Sequence, residues 1–185
     1  MAHIPNETLA EMKSLCMQGE KLAKIGDHPR AVEKFNEALT LVPRPRKSYP
    51  EATFIYAAIG ESQYCMKNYE DACKSFFEAF SSEGGDKSAQ ICLRLGQCIE
   101  ECGDRRRAHE YLKRALDMAD EGLFADVDIK YYKTATAKPY QLQREAARQD
   151  SRPNEAASAP TAASDEKPKE RESFVKKLFA RFKEL

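Results

Sequence analysis

Three histidines and six cysteines are the side chains of this 185-residue sequence most suited to chemistry. His28 follows Asp27 in what reads as a helix–helix turn, His109 follows Ala108 in a helical stretch, and His3 lies near the start. None stands at a recognisable spacing from a nucleophile or a carboxylate pair, so neither a catalytic residue nor an enzyme activity is expected. Cys98 and Cys102 share one helical face, with Cys92 a turn and a half earlier. Structural zinc sites use two close cysteine pairs, a spacing missing here, so neither metal nor cofactor is expected and the cysteines read as small hydrophobes filling helix crossings. With Cys16, Cys65 and Cys73 they fall in helix-like segments, which suits thiols of a reducing compartment better than a disulfide framework. Gly84-Gly85-Asp86-Lys87-Ser88 has neither the leading glycine nor the Gly-Lys step of a phosphate loop, and reads as a turn before a helix. Arg105-Arg106-Arg107, with Arg44, Arg46 and Lys47, could meet phosphates, but no aromatic platform interleaves them. Lys and Arg balance Asp and Glu, thirty to thirty, so no overall field draws nucleic acid, which is not an expected partner.

The elements that would hold any site come from an internal repeat. Gly19, Ala31, Phe35 and Ala38 recur as Gly60, Ala72, Phe76 and Ala79, and again as Gly96, Ala108, Leu112 and Ala115, with offsets of twelve, four and three each time. Four residues before each first alanine stands a helix N-cap candidate, Asp27, Asn68 or Asp104. Each unit therefore reads as helix, tight turn, helix. Small residues on facing helices let the two axes approach to about 8–10 Å. The aromatic or leucine between the alanines is expected to fill the space toward the following unit. One such pair cannot cover its own apolar face, so the units must stack. The proline-rich segment 43–50 lengthens the first connection and should place Pro50 in the first turn of the next helix.

In these positions the sequence resembles the tetratricopeptide repeat family. The matching residues are Gly19, Leu22, Gly26, Ala31, Phe35, Ala38 and Pro43 in the first unit; Tyr56, Gly60, Tyr69, Ala72, Phe76 and Ala79 in the second; Leu95, Gly96, Gly103, Ala108 and Ala115 in the third. The departures are Leu15 and Cys92 where the family carries an aromatic early in the first helix. The resemblance implies an all-α protein: three helix-turn-helix repeats over residues 1–122 in a right-handed superhelix, then a capping helix over 123–149. It also implies a non-catalytic protein-interaction module whose first helices line a concave groove. Carried over position by position, that groove holds Lys13, Cys16, Glu20 and Lys24; Phe54, Ala57, Glu61, Tyr64 and Cys65; and Gln90, Leu93, Arg94, Gln97, Glu100 and Glu101. Members that grip an acidic chaperone tail use a Lys/Asn/Asn/Lys/Arg clamp. Here Cys16, Glu20, Ala58, Gln90 and Arg94 stand in those places, so the expected ligand is instead a polypeptide with apolar anchors and basic flanks.

Within the capping segment, Gly122-Leu123-Phe124 should close a helix, and a further one should run from about Asp126 to Gln149. Its Val127, Ile129, Tyr131, Tyr132, Tyr140 and Leu142 would cover the open end of the array, with Pro139 kinking it. Residues 150–168 carry no large apolar side chain and read as a disordered linker, whose span is roughly 24 Å. Residues 169–185 turn amphipathic: Phe174, Val175, Leu178, Phe179, Phe182 and Leu185 share one helical face, opposite Lys176, Lys177, Arg181, Lys183 and Glu184. Such a helix is marginal by itself, so it either stays disordered or docks, on the protein's own groove or array end, on a partner, or on an anionic membrane surface, the last making a membrane-recruited scaffold. The stretch 122–132 also resembles the end of repeat proteins found beside secreted toxins, which implies a toxin-neutralising or secretion-chaperone-type partner. Neither a basic leader nor a bilayer-length apolar run occurs, so a cytoplasmic location is expected.

Overall fold

The computed structural model describes residues 4–119 and 121–138, in which all regular structure is helical. Helices α1 (Asn6–Lys24) and α2 (His28–Thr40), α3 (Pro50–Cys65) and α4 (Tyr69–Phe80), and α5 (Ala89–Glu101) and α6 (Arg105–Ala119) form three hairpins. A short α7 (Ile129–Thr136) follows. Single 3₁₀ turns at Arg46–Ser48, Gly85–Lys87 and Glu121–Phe124 lie in the longer connections.

Each hairpin turn is built the same way. Gly26 N–H donates to Ala23 O at 3.1 Å and Asp27 N–H to Leu22 O at 2.9 Å, which satisfies two carbonyls left over at the end of α1. Lys67 and Asn68 repeat this bonding after α3, as do Gly103 and Asp104 after α5. The turn needs a left-handed residue, and Gly26 (φ 85°) and Gly103 (φ 90°) adopt it freely. At the equivalent place in the second hairpin Lys67 does so with a side chain, at φ 60°. Asp27 and Asp104 then cap the next helix by accepting from Arg30 N at 3.3 Å and Arg107 N at 3.0 Å. Asn68 does not cap; its amide donates instead to Asp71 at 2.8 Å.

The recurring small residues lie in the seam of each hairpin. A Cβ on Gly19 would sit 2.7 Å from the Phe35 ring, one on Gly60 3.0 Å from the Phe76 ring, and one on Gly96 2.6 Å from Leu112 Cγ. The large side chain therefore packs on the glycine of its own hairpin, where it was expected to face the next one. It is the bare backbone of the first helix that makes room for it. Stacking between units comes from each second helix lying against the next first helix: α2 on α3, α4 on α5, α6 on α7. The long first connection is tied down by the second, since Glu83 N–H donates to Lys47 O and Thr53 Oγ1 to Glu83 O, both at 2.9 Å. Pro50 is the first residue of α3, and Gly84–Ser88 is a turn whose Ser88 hydroxyl caps α5.

The capping segment departs from expectation in two ways. Residues 121–124 form a 3₁₀ turn after α6 ends, and α7 begins only at Ile129 because Asp128 accepts from Lys130 N at 2.9 Å and caps it. Ile129, expected to cover the array, is 60% exposed, whereas Tyr131 and Phe124 are buried. Pro139, Tyr140, Leu142, the linker 150–168 and the docking residues Phe174, Leu178, Phe179 and Phe182 lie outside the described residues. All six thiols are free. Burial pushes Cys16 up to about 12 and Cys92 to about 11, so these two stay neutral and pack as hydrophobes.

Candidate polypeptide-binding face

The first helices of the hairpins turn toward one another: α3 meets α5, and α5 meets α7. Tyr64 on α3 and Tyr131 on α7 even touch across α5, with their hydroxyl oxygens 3.3 Å apart. Side chains from helices two places apart can meet only on the inside of a curve, so this is the inner face of the array.

At its centre lies an ion pair. Arg94 Nη2 donates to Glu61 Oε1 at 2.9 Å, Arg94 Nη1 to Gln97 Oε1 at 3.0 Å, and the guanidinium stacks 4.9 Å from the Tyr64 ring centroid. Glu61 is 4% exposed, Arg94 3% and Gln97 0%. Charges this deep are tolerated only when paired and hydrogen-bonded. Because Arg94 holds the Gln97 oxygen, the Gln97 amide nitrogen points the other way, where it is buried with no acceptor. An unanswered buried donor costs about 1–3 kcal/mol.

A second cluster fastens α7. The Tyr131 hydroxyl donates to Glu101 Oε1, so the hydrogen between the two tyrosines must come from Tyr64. Lys130 also donates to Glu101 and stacks on Tyr131. Thr134 Oγ1 donates to Glu100 Oε1 at 2.8 Å and accepts from Arg105 Nε at 3.1 Å, while His109 Nδ1 lies 2.8 Å from Thr134 O. Burial raises the Glu100 carboxyl above its usual range, only partly offset by Thr134, Arg105 and Lys130.

The groove residues expected from sequence therefore divide. Lys13, Glu20 and Phe54 are half-buried on α1 and α3, with Glu20 Oε2 3.9 Å from Lys24 Nζ. Glu61, Tyr64, Leu93, Arg94 and Gln97 are buried, and Glu100 and Glu101 are engaged by α7. The expected open wall of apolar residues and carboxylates is thus, in its α3–α5–α7 part, a buried polar network. Sequence reasoning missed Lys130, Thr134, Arg105 and His109 as members of it. One signal was available: Glu61 is the lone charge between Glu51 and Lys67, and Arg94 the lone charge between Lys87 and Glu100, with opposite signs. Among the described residues, no group of three His, Cys, Asp or Glu side chains is arranged to hold a metal ion.

Solved structures share the helical fold. The Sgt2 TPR domain from Aspergillus fumigatus superposes with a TM-score of 0.53 at 16% identity, covering 84% of this chain and 92% of that one. MamA superposes with a TM-score of 0.53 at 14% identity, covering 94% and 79%. The chain has the tetratricopeptide repeat fold. In sequence, the tetratricopeptide repeat protein 36 of Danio rerio is 24% identical over 115 residues, 62% of this chain and 59% of that relative, so this chain spans well under two thirds of its length. No protein-family model matches the chain. This tetratricopeptide repeat array has, among its described residues, no helix long and apolar enough to cross a membrane.

Proposed function

We propose that the array is a non-catalytic recognition module that takes a polypeptide segment on its inner face, with Lys13, Glu20 and Phe54 meeting it directly. The supporting observation is that face itself: the half-buried Glu20 and Phe54 on first helices, beside a buried Gln97 nitrogen that still lacks an acceptor. A ligand with an aromatic or aliphatic anchor and flanking Lys or Arg complements the apolar and carboxylate groups, and a backbone carbonyl of the same segment is the kind of acceptor the Gln97 nitrogen lacks. Leu93, Arg94, Gln97 and Tyr64 act beneath the contact surface by fixing its shape. A toxin or a secreted substrate held by such a segment is the partner type we favour, in a cytoplasmic setting.

Selection of peptides from a display library on the full chain tests this. Selected peptides carry an apolar anchor with basic flanks and lose binding in Phe54→Ala, whereas Phe77→Ala on the outer surface of α4 leaves it intact. Peptides that ignore Phe54 but depend on Phe77 place recognition on the outer face and sink the proposal.

A further inference from the structure

Two helices of the array expose no residue to solvent. No residue of α3 or α5 is exposed, and Ile91 to Ile99 are buried without a break. At 100° per residue those nine positions pass every direction around the helix axis more than twice. The hairpin partner, the preceding helix and the neighbouring first helices account for the outer and lateral sides of α5. The inner side is left, and it too is buried. On α3 the inner residue Ala57 is 0% exposed, though a methyl group has no reach with which to cover itself. In contrast α1 and α7 keep exposed positions, Met17 at 47% and Ile129 at 60% among them.

We infer that residues 169–185 of the same chain are what covers the inner face of α3 and α5, so that the array carries its own groove ligand. This inference rests on the inner-face reading above and adds the regulation of that face. Three features select this occupant. The segment offers Phe174, Leu178, Phe179 and Phe182 on one helical face with Lys176, Lys177, Arg181 and Lys183 around them. Those apolar and cationic groups complement the half-buried Phe54 and Glu20 on that face, whose deeper carboxylates Glu61, Glu100 and Glu101 are already paired within the array. Chain geometry permits the encounter, because the last described residue, Lys138, directly follows α7, itself part of the inner wall. About 30 residues separate Lys138 from that segment, and a flexible coil of that length would span roughly 30 Å, enough to reach across three stacked hairpins. Tethering sets an effective concentration in the millimolar range. A tail with an intrinsic dissociation constant of about 100 μM would then hold the face about 90% of the time and weaken an outside ligand about tenfold.

The 185-residue chain contains no tryptophan, so Phe179→Trp installs a single reporter in it. The inference expects emission blue-shifted relative to the urea-unfolded chain, shielded from acrylamide, and independent of protein concentration. It expects the shielding to be lost in Phe54→Ser/Glu20→Lys, with helicity by circular dichroism retained. Solvent-like emission throughout overturns it. So does shielding that arises only as protein concentration rises, which means a second copy, or only with phosphatidylserine-containing vesicles, which means a membrane-recruited scaffold. Shielding that persists in the folded inner-face variant places the tail elsewhere and also overturns it. Because the reporter is read without any outside ligand, a solvent-exposed tail together with intact, Phe54-dependent peptide binding would sink this inference alone.

Discussion

Gly96 offers the sharpest test of how the hairpins are held. In an ordinary helix, Gly→Ala stabilises by about 0.5–1 kcal/mol, because alanine has less backbone freedom to lose. Here the new methyl carbon would lie 2.6 Å from Leu112 Cγ, 2.8 Å from Cδ2 and 3.1 Å from the Leu112 backbone nitrogen. Carbon pairs are comfortable at about 3.5–4.0 Å. Leu112 is 0% exposed and cannot swing into solvent, and its nitrogen moves only if α6 moves. Overpacking of this kind costs about 1–3 kcal/mol, so the net effect is a loss of up to about 2.5 kcal/mol, opposite in sign to the helix-propensity expectation. Urea unfolding monitored by circular dichroism measures it. Gly19→Ala, at 2.7 Å from a ring edge, should follow closely, and Gly60→Ala, whose nearest ring atoms are at 3.0 Å, should cost least. Combining Gly96→Ala with Leu112→Ala should recover at least about 1 kcal/mol relative to the sum of the single changes, since the first methyl fills space the second vacates. A Gly96→Ala protein more stable than wild type, or strict additivity with Leu112→Ala, would refute the interlocked seam.

Other outcomes follow from single sites. Lys67→Gly should raise stability by about 0.5–1 kcal/mol in the same assay, because a left-handed non-glycine residue costs about 1–2 kcal/mol and glycine's larger unfolded entropy returns only part of it. Gly85→Ala should be the most damaging alanine substitution at a glycine, since its Cβ would meet Ala79 O at 1.9 Å and Ala79 C at 2.8 Å, both backbone; soluble, two-state protein of wild-type stability would contradict it. Glu100 binds its proton more tightly folded than unfolded. Its stabilising contribution is therefore complete below the unfolded value near 4.5 and is lost as pH rises through the elevated folded value. Denaturation midpoints for Glu100→Gln should fall less than wild type between pH 4.5 and neutrality, and Gln should match or exceed Glu at pH 7.

The hairpins were legible because their packing is carried by residue types that have few other reasons to recur. A glycine, two alanines and a bulky side chain at fixed offsets name the seam almost by themselves, and Asp27, Asp104 and Pro50 mark helix starts through local chemistry. Asn68 failed as a cap because its amide turns its nitrogen, not the capping oxygen, toward the helix to donate to Asp71 one turn on. The inner face was harder. Polar residues at groove positions were read as exposed because charge ordinarily means solvent, and only three dimensions show that Glu61 and Arg94, 33 residues apart, neutralise each other out of water. The start of the short α7 was misplaced for a related reason: beside the buried Tyr131 and Ala135, polar contacts through Glu100, Glu101 and Arg105 hold it on the array, and these leave no apolar periodicity to read.

The central claim is that a polypeptide segment lies along the inner face of this array. Amide chemical-shift mapping of the nitrogen-15-labelled full chain, titrated with a selected peptide of apolar anchor and basic flanks, tests it most directly. The largest changes are expected at Lys13, Glu20, Phe54 and their neighbours on α1 and α3, with Phe77 and Met118 unmoved. Changes confined to the α4 and α6 surfaces around Phe77 and Met118, with the inner face silent, would contradict it.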